Sequence, residues 1–127
     1  MNTEERDLVT HHTRYWQAAS NGQLLIKRCN GCGEYFFYPR PICPLCASDQ
    51  TEWVIACGQG RVYAFSLMRR KGEIVSAPAF ITLEEGPTIA TGLLGGSPEN
   101  YRVDMRVELT FAATAEHPNT PFFKPAE

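Results

Sequence analysis

Along the first twenty residues, apolar side chains recur at spacings of three and four. Leu8, His12, Tyr15, Trp16 and Ala19 fall on one face, which predicts an amphipathic helix over residues 3–20. Glu4 and Glu5 belong to its first turn, where acidic groups suit the helix dipole. Ser20-Asn21-Gly22 supplies the stop, with Gly22 suited to a left-handed C-cap. The pattern then changes. Residues 24–28 and 35–38 read as short strands, the second ending at Pro39-Arg40-Pro41, and no hydrophobic period dominates residues 24–53. From Trp53 onward the alternation has period two. Residues 60–68, 79–83, 88–94, 106–111 and 121–125 read as strands, with Glu84-Glu85-Gly86-Pro87 and Gly95-Gly96-Ser97-Pro98 as turns. Tyr63, Phe65 and Phe80 alternate like core residues. Strands at this spacing predict a small closed barrel. The expected architecture is mainly β: an N-terminal helix over 1–22, a cysteine-bearing module over 23–53 and a five-stranded barrel over 54–127.

Composition narrows this picture. The chain has 127 residues, 43% hydrophobic and 20% charged, which excludes a disordered or fibrous chain. The length suits one ordinary domain or two very small ones, so the middle module needs a staple. Twelve basic residues against 14 acidic ones disfavour a strongly basic nucleic-acid binder. No apolar run approaches the roughly 20 residues that span a bilayer. Met1-Asn2-Thr3-Glu4-Glu5-Arg6 lacks the profile of a secretory signal, and a cytoplasmic location is the expectation.

The staple is legible in the cysteines. Cys29-Asn30-Gly31-Cys32 and Cys43-Pro44-Leu45-Cys46 are two Cys-x-x-Cys pairs, and an odd total of five argues against a closed disulfide framework. Two thiolates three positions apart on a tight turn can both face one ion at about 2.3 Å, and two such turns complete a tetrahedron. Zinc is the expected metal; iron suits the same ligands. Gly33 fits the first knuckle and Pro44 stiffens the second. Lys27, Arg28 and Arg40 read either as charge compensating the thiolates or as solvated surface. All four positions come from protein, so the site is expected to be structural. Cys57 lies outside both pairs and reads as a small buried hydrophobe.

A catalytic constellation is not legible. His11, His12 and His117 have no metal-ligand spacing, and neither a phosphate loop nor a nucleophile elbow is present. Glu84 and Glu85 read as solvated turn residues. Arg69-Arg70-Lys71, followed by Gly72, is either a solvated hairpin tip or an anion contact, for a ligand phosphate or for acidic residues of a partner. Tyr15 and Trp16 either pack on their own domain or form an interface with a partner subunit.

Read in order, Tyr15-Trp16-Gln17-Ala18, Gly22-Gln23-Leu24, Arg28-Cys29-x-x-Cys32-Gly33, Pro39-Arg40, Cys43-Pro44-x-Cys46 and Gly58-x-Gly60-x-Val62-Tyr63-x-Phe65 resemble a known family. That family joins an N-terminal helix, a rubredoxin-like zinc ribbon and a C-terminal OB-fold, and was long classed as a domain of unknown function. The resemblance spans about residues 10 to 125. It implies metal binding by Cys29, Cys32, Cys43 and Cys46. It also implies an accessory subunit, without catalysis of its own, that scaffolds an acyl-CoA-processing enzyme and covers its CoA-binding mouth. The implied partners are thiolases, thiolase-like aldolases, acyltransferases and MaoC-like enoyl-CoA hydratases; the family supplies no catalytic residues. Two rivals remain: a nucleic-acid-binding OB protein, and a subunit contributing directly to a hydratase active site.

Overall fold

The computed structural model describes residues 8–126. Helix α1 spans Leu8–Ser20; the earlier start, the acidic first turn at Glu4 and Glu5 and the Leu8 side chain fall outside the described residues. The helix ends as Gly22 requires. Gly22 adopts φ +79°, its N–H reaches the Ala19 carbonyl at 3.0 Å, and the Gln23 N–H reaches Ala18 at 3.0 Å. This is a Schellman cap, and it turns the chain into the first strand.

The buried face of α1 is His11, Tyr15, Ala18 and Ala19. It is rotated by about one residue from the expected stripe, and His12 is exposed. The reason is a polar partner that hydropathy does not register. Lys27 Nζ lies 2.9 Å from His11 Nε2, both side chains are buried, and the imidazole stacks on Trp53 at 4.9 Å. Tyr15, one of two expected interface residues, is 5% exposed and packs on Phe37 and Tyr38. Burial first, and then the neighbouring Tyr38 phenol, push its own phenol above the ordinary range. Tyr15 is thus a core residue of this chain.

Strand β1 (Leu25–Cys29) is the centre of a three-stranded antiparallel sheet, flanked by β2 (Tyr35–Phe36) and β3 (Thr51–Ile55). The larger sheet contains β4 (Gln59–Phe65), β7 (Pro78–Leu83), β8 (Thr88–Gly92), β9 (Arg106–Ala112) and β10 (Thr120–Pro125). A separate hairpin, β5 (Met68–Arg70) and β6 (Glu73–Ser76), interrupts the chain between β4 and β7. The strand order is β10-β9-β4-β7-β8. The sheet curls until its edges meet: Leu93 and Phe123 form a parallel bridge, and the Leu94 N–H reaches the Phe123 carbonyl at 2.9 Å. Joining the two edges gives the five-stranded OB-fold order.

One hydrophobic core joins these parts. It takes Tyr15 and Ala18 from α1, Leu24 from just before β1, Leu25 and Ile26 from its start, and Val62, Ile81, Ile89, Val107 and Phe123 from the barrel. Asn119 Nδ2 donates to the Ala19 carbonyl at 2.7 Å, tying the helix end to the barrel. Two residues expected inside are outside: Tyr63 is 67% and Phe80 52% exposed, while Phe65 is half-buried. A bulge between Val62 and Ala64 leaves Val62 facing inward and Tyr63 outward. On β7, Ala79, Ile81 and Leu83 take the inner positions, so Phe80 points away.

Gly60 has a steric reason. A Cβ there would stand 2.8 Å from the Thr82 carbonyl oxygen and 2.9 Å from Ile81 Cγ2. The Thr82 oxygen is backbone and cannot swing aside. Gly60→Ala is therefore expected to cost about 1–3 kcal/mol, read as a lowered urea midpoint. An unchanged midpoint would mean that β4 and β7 separate more freely than their register implies. Among the described residues, no helix is long and apolar enough to cross a membrane.

Candidate metal centre

The first knuckle follows the end of β1 and the second lies in the irregular chain between β2 and β3, and the two loops have the same hydrogen-bond frame. The Cys29 N–H donates to Glu34 and its carbonyl accepts from Gly33; the Cys43 N–H donates to Ser48 and its carbonyl accepts from Ala47, all at 2.8–2.9 Å. The N–H two residues on donates to sulfur in each: Gly31 to Cys29 Sγ and Leu45 to Cys43 Sγ, both at 3.3 Å. The closing residue is left-handed in both loops, at φ +79° for Gly33 and +66° for Ala47. Glycine marks the first loop in the sequence; in the second, alanine bears the same conformation and gives no such sign.

These frames bring four sulfurs together, all within 4.8 Å of one another. Cys29 Sγ lies 3.5 Å from Cys46 Sγ, and Cys32 Sγ 3.9 Å from Cys43 Sγ. A tetrahedral ion with metal–sulfur bonds of about 2.3 Å needs sulfurs about 3.8 Å apart, so the donor set fits. Cys29 and Cys43 are buried with Phe36 in a small apolar cluster, while Cys32 and Cys46 face outward. Hydrogen bonding tunes the thiols unequally. The Cys32 backbone N–H chiefly, with help from Cys46 and the Gly31 N–H, outweighs desolvation and lowers Cys29 to about 6. For Cys46 the Ser48 N–H pulls down, but the neighbouring Cys29, burial and the other two sulfurs prevail and push it up to about 12.

The surrounding charges divide. Arg28 stays beside the first knuckle: Nη1 donates to Asn30 Oδ1 at 2.9 Å and lies 3.8 Å from Glu52. Lys27 turns the other way, to His11 and the face of Trp53, 4.9 Å from the ring centroid. Its side chain lies at the contact between helix and ribbon. Arg40 is exposed and lines a shallow groove with His12, Tyr38, Pro39, Pro41 and Ile42.

The other candidate residues lie apart from the cysteines. Cys57 is exposed, contrary to the expected burial, and its backbone N–H donates to Glu85 Oε2 at 2.7 Å. Glu85 is therefore a tie between the β3–β4 connection and the β7–β8 turn. His117 stacks flat on Trp16, with centroids 3.5 Å apart and planes at 6°. His12 meets the edge of Tyr38 at 5.0 Å. Arg69, Arg70 and Lys71 are exposed on the β5–β6 hairpin, with Lys71 and Gly72 forming its two-residue turn. Among the described residues, the four cysteines are the one group of three or more His, Cys, Asp or Glu able to hold a metal ion. The pairing of His11, Lys27 and Trp53 had no sequence signal, because the three lie on separate elements and share no motif.

Residues 16–52 match the family model of the ChsH2 rubredoxin-like zinc ribbon domain, and residues 53–112 that of the ChsH2 C-terminal OB-fold domain. A DUF35 domain-containing scaffold protein of Methanocaldococcus jannaschii is 34% identical over 110 residues, covering 81% of this chain and 78% of that one. The chain belongs to the DUF35 family. A second DUF35 scaffold protein, from Pyrococcus furiosus, is 33% identical over 103 residues, 76% of this chain and 75% of that one. A probable enoyl-CoA hydratase alpha subunit of Thermomonospora curvata is 29% identical over 126 residues. That match takes in 95% of the present chain but 40% of the relative, so this DUF35 chain spans less than half of it. Among solved structures, the Ltp2–ChsH2(DUF35) aldolase aligns with a TM-score of 0.76 and 29% identity, over 91% of this chain and 94% of that one.

Proposed function

We propose that this DUF35 chain is a non-catalytic accessory subunit, working in the cytoplasm, that scaffolds an acyl-CoA-processing enzyme. The partner in this reading is a thiolase, a thiolase-like aldolase or a related acyltransferase. The observation that carries it is the likeness, over 91% of the chain, to the DUF35 component of the Ltp2–ChsH2(DUF35) aldolase. The scaffold designation of the archaeal relatives supports it. A MaoC-like hydratase is the second partner class, favoured by the name of the Thermomonospora relative.

Cys29, Cys32, Cys43 and Cys46 are the proposed metal ligands, and zinc is the proposed ion. Four thiolates satisfy a tetrahedral ion and leave no position for water or substrate, so the ion's role is structural. What the chain's own residues supply is shape. The knuckle N–H groups orient the sulfurs, and Leu24 to Ile26 fasten the ribbon to the barrel core. Arg69, Arg70 and Lys71 are available to anionic groups, CoA phosphates included.

The test is a three-way assay on acyl-CoA: the enzyme subunit that co-purifies with the chain, this chain alone, and both together. The expected result is no turnover by this chain and a loss of at least about tenfold in the partner's kcat/KM without it, since a misplaced substrate costs that much or more. Turnover by this chain alone, or a partner equally active and stable in its absence, would overturn the reading.

A further inference from the structure

The β5–β6 hairpin is a conspicuous exposed element. Among the described residues its two strands pair only with each other, and no side chain from Met68 to Ser76 is buried. A two-stranded hairpin without a covered face is marginal in water. The turn at Lys71 and Gly72, with φ of +54° and +82°, fits a type I′ turn, which fixes the tip.

Register shows what this arm carries. Ala64 pairs with Phe80 and Phe65 with Ala79; the Ser66 N–H then reaches the Pro78 carbonyl at 2.9 Å, and Met68 pairs with Ser76. The hairpin therefore continues the ribbon formed by β4 and β7. Alternation along it places Phe80, Pro78, Met68 and Arg70 on one face, all exposed, with Tyr63 beside Phe80 at the bulge. From Phe80 to the tip this strip runs roughly 23 Å at about 3.3 Å per residue. On this face Ser66 lies opposite Pro78 and Ser76 opposite Met68, so exposed apolar side chains alternate with small polar ones; the tip is cationic, with Arg70 paired to Glu73, Lys71 in the turn and Arg69 on the opposite face, in a chain whose net charge is -2.

We propose that this strip is the surface on which the enzyme subunit docks, through an apolar groove with acidic side chains around the hairpin tip. The inference rests on the accessory reading and says where the contact lies. Aromatic side chains, methionine and arginine are the residues enriched at protein interfaces, and here they form one line. A small molecule is a poor occupant, because the strip from Phe80 to the tip lies on a narrow two-stranded arm and ligand sites are concave. Nucleic acid is a poor one as well, since the acidic chain supplies no electrostatic funnel around the arm.

The experiment uses the full chain and the enzyme subunit identified by co-purification and then produced separately. Hydrogen–deuterium exchange over residues 66–80 should slow at least about tenfold in the complex, as expected when a frayed hairpin is covered. Two variants are then titrated against the partner, Phe80→Ser with Met68→Ser, and Arg69→Glu with Arg70→Glu and Lys71→Glu. All five positions are exposed, so metal content should match the parent's and Tm should fall by no more than about 8 °C. Each variant should weaken binding at least about tenfold, and the charge variant should lose the parent's salt dependence. A complex of parental affinity with both variants, and an arm that exchanges freely in it, would overturn this surface while leaving the accessory reading intact. Failure of the parent to bind any enzyme subunit would overturn both. Single-stranded oligonucleotide binding, or self-association, that both variants abolish would assign the strip to another occupant and overturn the proposal.

Discussion

Cys29→Ser should strip the chain of its metal and unfold the ribbon. Metal content should fall from one ion per chain to near zero, with a drop in Tm of at least about 10 °C. The argument is local and then global. Cys29 ends β1, and its N–H, carbonyl and sulfur all belong to the first knuckle. Residues 30–50 are held by little else: β2 has two residues, and the small apolar cluster of the ribbon is Cys29, Phe36 and Cys43. Without the ion, that cluster is too small to offset the entropy of the loops. The loss spreads because Leu25 and Ile26 of the same strand belong to the main core. Cys57→Ser is the control, since its side chain lies outside the sulfur cluster, and it should leave metal content and Tm unchanged. Acidification should act like the mutation. Ligand thiols must be deprotonated to bind, so metal affinity falls as pH falls. Elemental analysis and calorimetry on the two variants decide the matter, and full metal retention by Cys29→Ser would remove that residue from the ligand set.

Phe123→Ala should cost about 3–5 kcal/mol, a large share of the 5–15 kcal/mol that holds a typical domain. Phe123 is fully buried, and its backbone bridges to Leu93 where the barrel closes. Truncation leaves a cavity at the seam between β8 and β10, where surrounding side chains are held by both edges. Phe80→Ala is the informative contrast. The residue type and its place in a strand are the same, yet Phe80 is 52% exposed, and the cost should stay below about 1 kcal/mol. Urea titrations of the two variants measure the difference. Equal losses would mean that the phase of β7 has been misassigned.

That contrast marks the boundary of what the sequence discloses. The five barrel strands were legible because alternation and Gly/Pro turns are local, whereas β3 and β6 were not read as strands and the expected strand 60–68 ends at Phe65. The phase of an isolated strand is a property of the sheet it joins, and Tyr63 and Phe80 misled because a bulge and the inward-facing Ile81 settle their side. The metal site was legible for the opposite reason, since two Cys-x-x-Cys turns carry their geometry within a few residues. Even there the left-handed Ala47 had no signature. The helix was visible as a period, but its inward face turned on His11 meeting Lys27 across 16 positions. Glu85, which resembles any solvated turn acid, caps the Cys57 N–H from 28 residues away. Contacts made by polar groups over long separations leave no periodic trace.

In the proposed reading this chain works as a metal-stapled, non-catalytic subunit of an acyl-CoA-processing enzyme complex. Native mass spectrometry of the complex, purified from its natural host through a tag on this chain, tests it most directly. The expected spectrum shows a hetero-oligomer of this chain with an acyl-CoA-processing enzyme, and one zinc ion retained per copy after mild declustering. A chain that emerges alone or only with itself, or one that carries nucleic acid in place of an enzyme subunit, would contradict the account.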